Sequence, residues 1–308
     1  SVSDDKNFLM SSDEIIENNN EFKADGIWQI VPGYKGCRTE HYNFNAGLFR
    51  LKALKPFVKM IELKLVMPSK KNIVSDKRNV PLNNKFQDAD SKIISAHTAF
   101  SNAESMALFL DSLRQLSGKK PVGIKVCIKD EKDKKEFHEI CYAFRKTVII
   151  PDYIVIEDNK WENDYLFNFS QTACMSLYEG LLFVSKTLEM YGLEKQVKII
   201  AATSIYTAFD VLKLHALGAD AIRMQNCTLA DDDKENQPFE YTDNLRNKII
   251  RNTTEIMKAC GYTNFKDITL TSLLQRFDFL QYRGFSKIDD HKASIDIKRK
   301  PFHIQKIS

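Results

Sequence analysis

Short apolar runs alternate with helical stretches from residue 27 onward, and this rhythm limits the possible folds more than any other feature of the chain. Residues 27–31 read as a strand followed by the turn "PGYKGC", and residues 49–55 as a short helix stopped by Pro56. Residues 58–67, "VKMIELKLVM", set apolar residues against Lys59, Glu62 and Lys64, as a strand does. Ser101 and Glu104 form a capping box ahead of Met106, Phe109, Leu110, Leu113 and Leu116 at helical spacing, and Ser117 with Gly118 ends that helix. Strands are expected at residues 121–128, 153–156, 197–201 and 219–224. Helices are expected at residues 134–146, 175–191, 207–217 and 244–260. Strands separated by helices must pair in parallel through right-handed crossovers, which leaves a barrel or a doubly wound sheet.

Composition narrows the choice. Average usage near ~7% would give about 22 glycines in a chain of this length, and only 11 are present. Loops that cradle phosphate use glycine to bring backbone N–H groups close to the ligand. No glycine fingerprint follows any predicted strand, which argues against a doubly wound dinucleotide fold and against tight nucleotide binding. The hydrophobic share of 43% and the charged share of 28% suit a soluble globular protein. No signal peptide is read at the start, where Asp4, Asp5 and Lys6 interrupt any apolar core segment. The net charge of +4 is spread along the chain, so nothing resembles a phosphate-tracking stripe and nucleic-acid binding is not expected.

Six cysteines stand at 37, 127, 141, 174, 227 and 260 without a Cys-x-x-Cys pair. That spacing predicts buried reduced thiols, no zinc or other metal site, and a reducing compartment, mitochondrial or cytoplasmic. His138 has Tyr142 rather than a histidine at i+4, so no zincin pattern exists. The acidic run at Asp231–Glu235 lacks the loop spacing of a calcium site and reads as solvated. Residues 72–90 read as a long loop.

The stretch "GIWQIVPGYKGCRTEHYNFNAGLFRLKALKPFVKMIELKL", with "SAHTAFSNAESM", "LRQLSGKKPVGIKVCI", "YTAFDVLKLHALGADAI" and "NTTEIMKACGY", resembles the flavin-binding synthase domain of glutamate synthases over roughly residues 28–262. The resemblance implies a TIM-type (β/α)8 barrel with flavin and 2-oxoglutarate at its mouth. It departs from the family where that chemistry lies. Lys64 and Lys70 hold the two lysine positions of the motif "IKLSQGAKPGHGG", but its Ser-Gln-Gly is Val66, Met67 and Pro68 here. The small-residue flavin loop "VDGxEGGTGAAP" is matched by Glu157, Asp158, Asn159, Lys160, Trp161, Glu162 and Asn163. A tryptophan where backbone must touch a planar ring excludes the ring by volume. The phosphate turn "ASGK" is Ala201, Ala202, Thr203 and Ser204, and "NSARG" is Arg223, Met224, Gln225, Asn226 and Cys227. Cys227 stands where the family's cluster cysteines begin, and a cluster normally needs three or four thiolates.

Two family strands precede the one at residues 27–31, whereas "SSDEIIENNNEFK" reads as polar loop or short helix. The expectation is therefore an α/β barrel incomplete at its N-terminal strands, open by about two of its eight. An exposed parallel edge calls for a cover, either another chain or a rearranged N-terminal segment, and this is the main reason to expect a companion chain. The chain divides into an N-terminal segment 1–26, a barrel 27–285 and a basic tail 286–308. The implied function is that of a catalytically inactive, glutamate-synthase-like accessory subunit in a larger complex. It would have no catalytic or metal-binding residues and no FMN or iron–sulfur cluster, with Lys64 and Lys70 as vestiges of a cofactor site. The alternative is an FMN-dependent glutamate synthase-type oxidoreductase with an altered site, or a small-anion site at Lys64, Lys70 and Arg223. His97, at a family histidine, has no evident task without flavin and is expected to be structural. The acids Glu157, Asp158, Glu162 and Asp164 are expected to form a solvated loop rather than an acid–base pair.

Overall fold

The computed structural model describes residues 10–12, 26–41, 43–65, 97–158, 175–224, 238–272, 274–278 and 281–284. Seven strands form one sheet: β1 (Met10–Ser12), β2 (Gly26–Ile30), β3 (Val58–Lys64), β4 (Val122–Val126), β5 (Tyr153–Glu157), β6 (Lys198–Thr203) and β7 (Ala221–Met224). Every pairing is parallel. The strand order follows the chain order. A doubly wound sheet reverses direction at a switch point; this one never does, so the chain winds one way, as a barrel must. Among the described residues β1 and β7 do not pair with each other, and the barrel is incomplete.

Helices α1 (Ala46–Ala53), α2 (Ala103–Leu116), α3 (Glu131–Thr147), α4 (Leu177–Met190), α5 (Ala208–Ala216) and α6 (Pro238–Ala259) fill the crossovers or follow the last strand. Alternate strand residues sort cleanly onto two faces. Trp28, Ile30, Ile61, Leu63, Ile124, Val126, Ile154, Ile156, Ile199 and Ala201 join the helices in the main core. A smaller cluster on the other face holds Tyr153, Val155 and Ala202, with Met60 and Ile200 against it. The larger apolar area therefore lies between sheet and helices, and the second face lines a lumen. C-terminal to α6, β8 (Leu274–Asp278) and β9 (Gln281–Gly284) form an antiparallel hairpin that the sequence reading did not include.

The N-terminal segment differs from expectation. Met10, Ser11 and Ser12 pair in parallel with Gly26, Ile27 and Trp28 as an edge strand. Among the described residues one strand, rather than none, precedes β2, so part of the opening expected at the N-terminal side is filled by the chain itself. Short polar edge strands are easy to miss because backbone pairing, not side-chain burial, makes them.

Helix starts are set by local capping. The cap of α2 is Asn102, whose side chain accepts from Ser105 N while Ser105 Oγ takes the Asn102 N–H. The box is thus shifted by one residue from the Ser101–Glu104 pair the sequence suggested. Asp130 caps α3 by accepting from Lys132 N and Asp133 N, which starts that helix at Glu131 rather than at residue 134. Thr207 and Asp210 form the box that opens α5.

Candidate functional site

Side chains from six strands, β2 to β7, meet in the lumen. Parallel register sets Gln29 beside Glu62, Glu62 beside Gly123 and Lys64 beside Lys125. It also sets Glu157 beside Ala202 and Ala202 beside Arg223. Glu62 is completely buried. Arg223 Nη1 donates to Glu62 Oε1 at 2.9 Å and Nη2 donates to Oε2 at 2.5 Å. Gln29 Nε2 donates to the same Oε1 at 2.8 Å. In a flat sheet the four strand spacings from β3 to β7 would total roughly 19 Å, too far for this two-pronged contact. The sheet must curl until opposite walls meet, so the Glu62–Arg223 pair is itself a measure of barrel curvature. Burial acts to lower the Arg223 pKa, but the hydrogen bonds and charge of Glu62 outweigh it and raise the value.

A second group lies at the strand ends. Lys125 Nζ stands 2.5 Å from Glu157 Oε1, and Lys64 Nζ stands 4.0 Å from Glu157 Oε2. Burial lowers the Lys125 pKa, Glu157 opposes the shift, and the charge of Lys64 adds to it. Beside this group Thr203 Oγ1 donates to Asp158 Oδ2 at 3.1 Å. Lower in the lumen, Tyr153 crosses β4 and its hydroxyl donates to the Ile61 carbonyl at 2.8 Å. Burial first, then the charge of Glu62, pushes that phenol well above its ordinary range.

The expected site residues fall into this frame unevenly. Lys64 lies at the end of β3 with its side chain a quarter exposed; Lys70 lies outside the described residues. Arg223 is bound to a carboxylate. Glu157 and Asp158 have named partners and do not form a freely solvated acid loop, while Trp161, Glu162 and Asp164 lie outside the described residues. His97 is 3% exposed and donates through Nε2 to the Lys64 carbonyl at 2.9 Å. Burial lowers its pKa to about 4, so it is a neutral, structural histidine at pH 7. His138 packs edge-on against Phe183. Cys37, Cys127 and Cys141 are buried free thiols and Cys260 is an exposed one; burial pushes the three buried thiols to about 12, which makes them unreactive. Cys174, Cys227, Asp231–Glu235 and the tail 286–308 lie outside the described residues. Among those described, no three His, Cys, Asp or Glu side chains gather as metal ligands, and no helix is long and apolar enough to cross a membrane.

The sequence reading missed Lys125 as a lumen residue. Its signal was a single charge inside the otherwise apolar "VGIKVCI". Glu62 was visible only as part of a polar strand face, which alternation alone cannot assign to lumen or solvent.

Residues 74–231, just over half of the chain, match the family model described as the conserved region in glutamate synthase. The chain belongs to the glutamate synthase family. No curated protein sequence matches it. Among solved structures, DHODH of Eimeria tenella in complex with ferulenol aligns at 12% identity and a TM-score of 0.44, over 82% of this chain and 62% of that one. Inosine 5' monophosphate dehydrogenase of Legionella pneumophila aligns at 11% identity and a TM-score of 0.43, over 80% of this chain and 70% of that one. A mutant flavocytochrome b2 with pyruvate bound aligns at 16% identity and a TM-score of 0.43, over 80% and 53%. The chain spans less than two thirds of the length of the first of these and of the flavocytochrome.

Proposed function

We propose that this glutamate synthase family member is non-catalytic and serves as a structural or accessory subunit of a larger protein assembly, holding neither FMN nor an iron–sulfur cluster. The supporting observation is that the lumen charges neutralise one another. Arg223 sits at the first position of the stretch matching "NSARG", yet both its prongs are on Glu62. Thr203 stands at the glycine of the phosphate turn, and its hydroxyl is given to Asp158. A phosphate dianion placed there would face a carboxylate instead of free donors. This donor set does not fit a flavin. The assembly part of the reading draws on the outer edges of β1 and β7, which have no strand partner among the described residues and offer a companion chain a place to pair.

The purified chain is expected to show no flavin absorbance bands and to take up no FMN on dialysis; flavin bound one-to-one would overturn the non-catalytic reading. In cell extract the endogenous protein is expected to elute well above the 35.5 kDa of this chain. Elution as a monomer would overturn the accessory role alone.

A second reading, an FMN-dependent enzyme of glutamate synthase type with an altered site, is favoured by Lys64. Its amine keeps a family position at the lumen rim and is only loosely held, 4.0 Å from Glu157. A ligand that binds the native state must stabilise it. A rise in melting temperature with millimolar FMN or 2-oxoglutarate, lost in Lys64→Met, would support this second reading.

A further inference from the structure

Glu62 is a hub. Through Gln29 it reaches β2, through Arg223 it reaches β7, and the Ile61 carbonyl next to it receives the Tyr153 hydroxyl from β5. The strand at the far end of these ties is weakly supported by other means. β7 has four residues and pairs with β6 alone, so one of its edges is without a strand partner among the described residues. Ile222, Arg223 and Met224 are only partly buried and Ala221 is exposed, whereas all five residues of β4 are buried.

We infer that the Glu62–Arg223 pair is a cross-lumen latch, which holds edge strand β7 against the opposite wall of an incompletely closed barrel. Among the described residues, backbone pairing secures β7 from one side only. The latch supplies the second attachment, from inside the ring, and it anchors on β3, a central strand. Because Glu62 is fully buried and the Arg223 side chain is 14% exposed, solvent and salt screen the attraction little. The planar guanidinium matters as much as its charge, since two parallel donors fix the direction of the strand as well as its distance. This inference does not depend on whether the lumen binds a ligand.

A latch and an ordinary core ion pair predict different patterns of local opening. The test is amide hydrogen exchange of the full chain, read by mass spectrometry in peptides covering residues 199–203, 221–224, 122–126 and 153–157. In Glu62→Gln, exchange in residues 221–224 is expected to accelerate by about 30-fold or more, because a buried arginine loses its charge partner. Exchange in residues 122–126 is expected to stay within about threefold of the parent, as for a local opening. Equal acceleration in all four peptides, or none in residues 221–224, overturns the latch. Should Glu62→Gln fail to fold, Arg223→Lys keeps the charge and loses the fork. It is expected to accelerate residues 221–224 selectively, and a uniform or absent response there overturns the inference equally.

Discussion

The ring of Tyr153 on β5 lies over Gly123 on β4, and its hydroxyl reaches the carbonyl of Ile61 on β3. A Cβ at position 123 would overlap Cε2, Cδ2 and Cζ of that ring. The glycine is needed for space. Its absent side chain lets an aromatic ring lie across a strand and tie three strands together inside the lumen.

Gly123→Ala is therefore expected to destabilise the protein by about 1–3 kcal/mol, the usual range for overpacking. Tyr153→Phe removes the hydroxyl and leaves the Ile61 carbonyl without that partner, which costs about 1–3 kcal/mol. Urea unfolding of the two single variants and the double variant checks the arrangement. If the ring's position depends on Gly123, the double variant loses less than the sum of the singles. Strict additivity would contradict the contact.

Lys64 and Lys125 share Glu157 but not its environment. The Lys125 side chain is 5% exposed and 2.5 Å from the carboxylate, while that of Lys64 is 25% exposed and 4.0 Å away. Removing Lys125 takes from Glu157 its shorter and more buried contact, so Lys125→Met is expected to cost about 1–3 kcal/mol. A loose, partly solvated pair contributes little, and Lys64→Met is expected to cost under about 1 kcal/mol. Equal losses in denaturant melts would mean that both lysines hold the carboxylate alike.

Much of the fold was legible because it rests on local signals. Apolar runs separated by helical periodicity located β2 to β7, and the absence of a glycine fingerprint turned the choice toward a barrel. The N-terminal strand was not legible, since Met10–Ser12 carries no alternation that distinguishes it from loop. The cap positions at Asn102 and Asp130 were missed by one to a few residues, because several Ser, Asn and Asp residues near each start compete for the same N–H groups. For the site, Lys64 and Arg223 were found through the family motif. The partner of Arg223 was not, because Glu62 and Arg223 are 161 residues apart and no pattern within one strand reveals a contact across the lumen. Lys125 showed only as an anomaly of polarity, whose meaning depends on knowing which strand face is the lumen.

His97 couples the stability of this region to pH. Its ring stacks on Phe100 at 5.0 Å, is tilted against Tyr34 and donates to the Lys64 carbonyl. Its Nδ1 is buried and has no hydrogen-bond partner among the described residues. Burial disfavours the imidazolium, so the folded-state pKa, about 4, lies below the ordinary 6.5. As pH falls through that window the unfolded chain takes up the proton first, and stability must drop. This group's contribution is intact above pH 6.5 and is lost progressively down to about pH 4. A one-proton difference corresponds to roughly 1.4 kcal/mol per pH unit inside the window. His97→Phe keeps an aromatic ring against Phe100 and removes the titration. Its stability at pH 7 is expected to be lower, for want of the bond to Lys64, yet its curve between pH 6.5 and 4.5 should be flatter than the parent's by about one proton. Parallel curves for the two proteins would place the acid sensitivity in other groups.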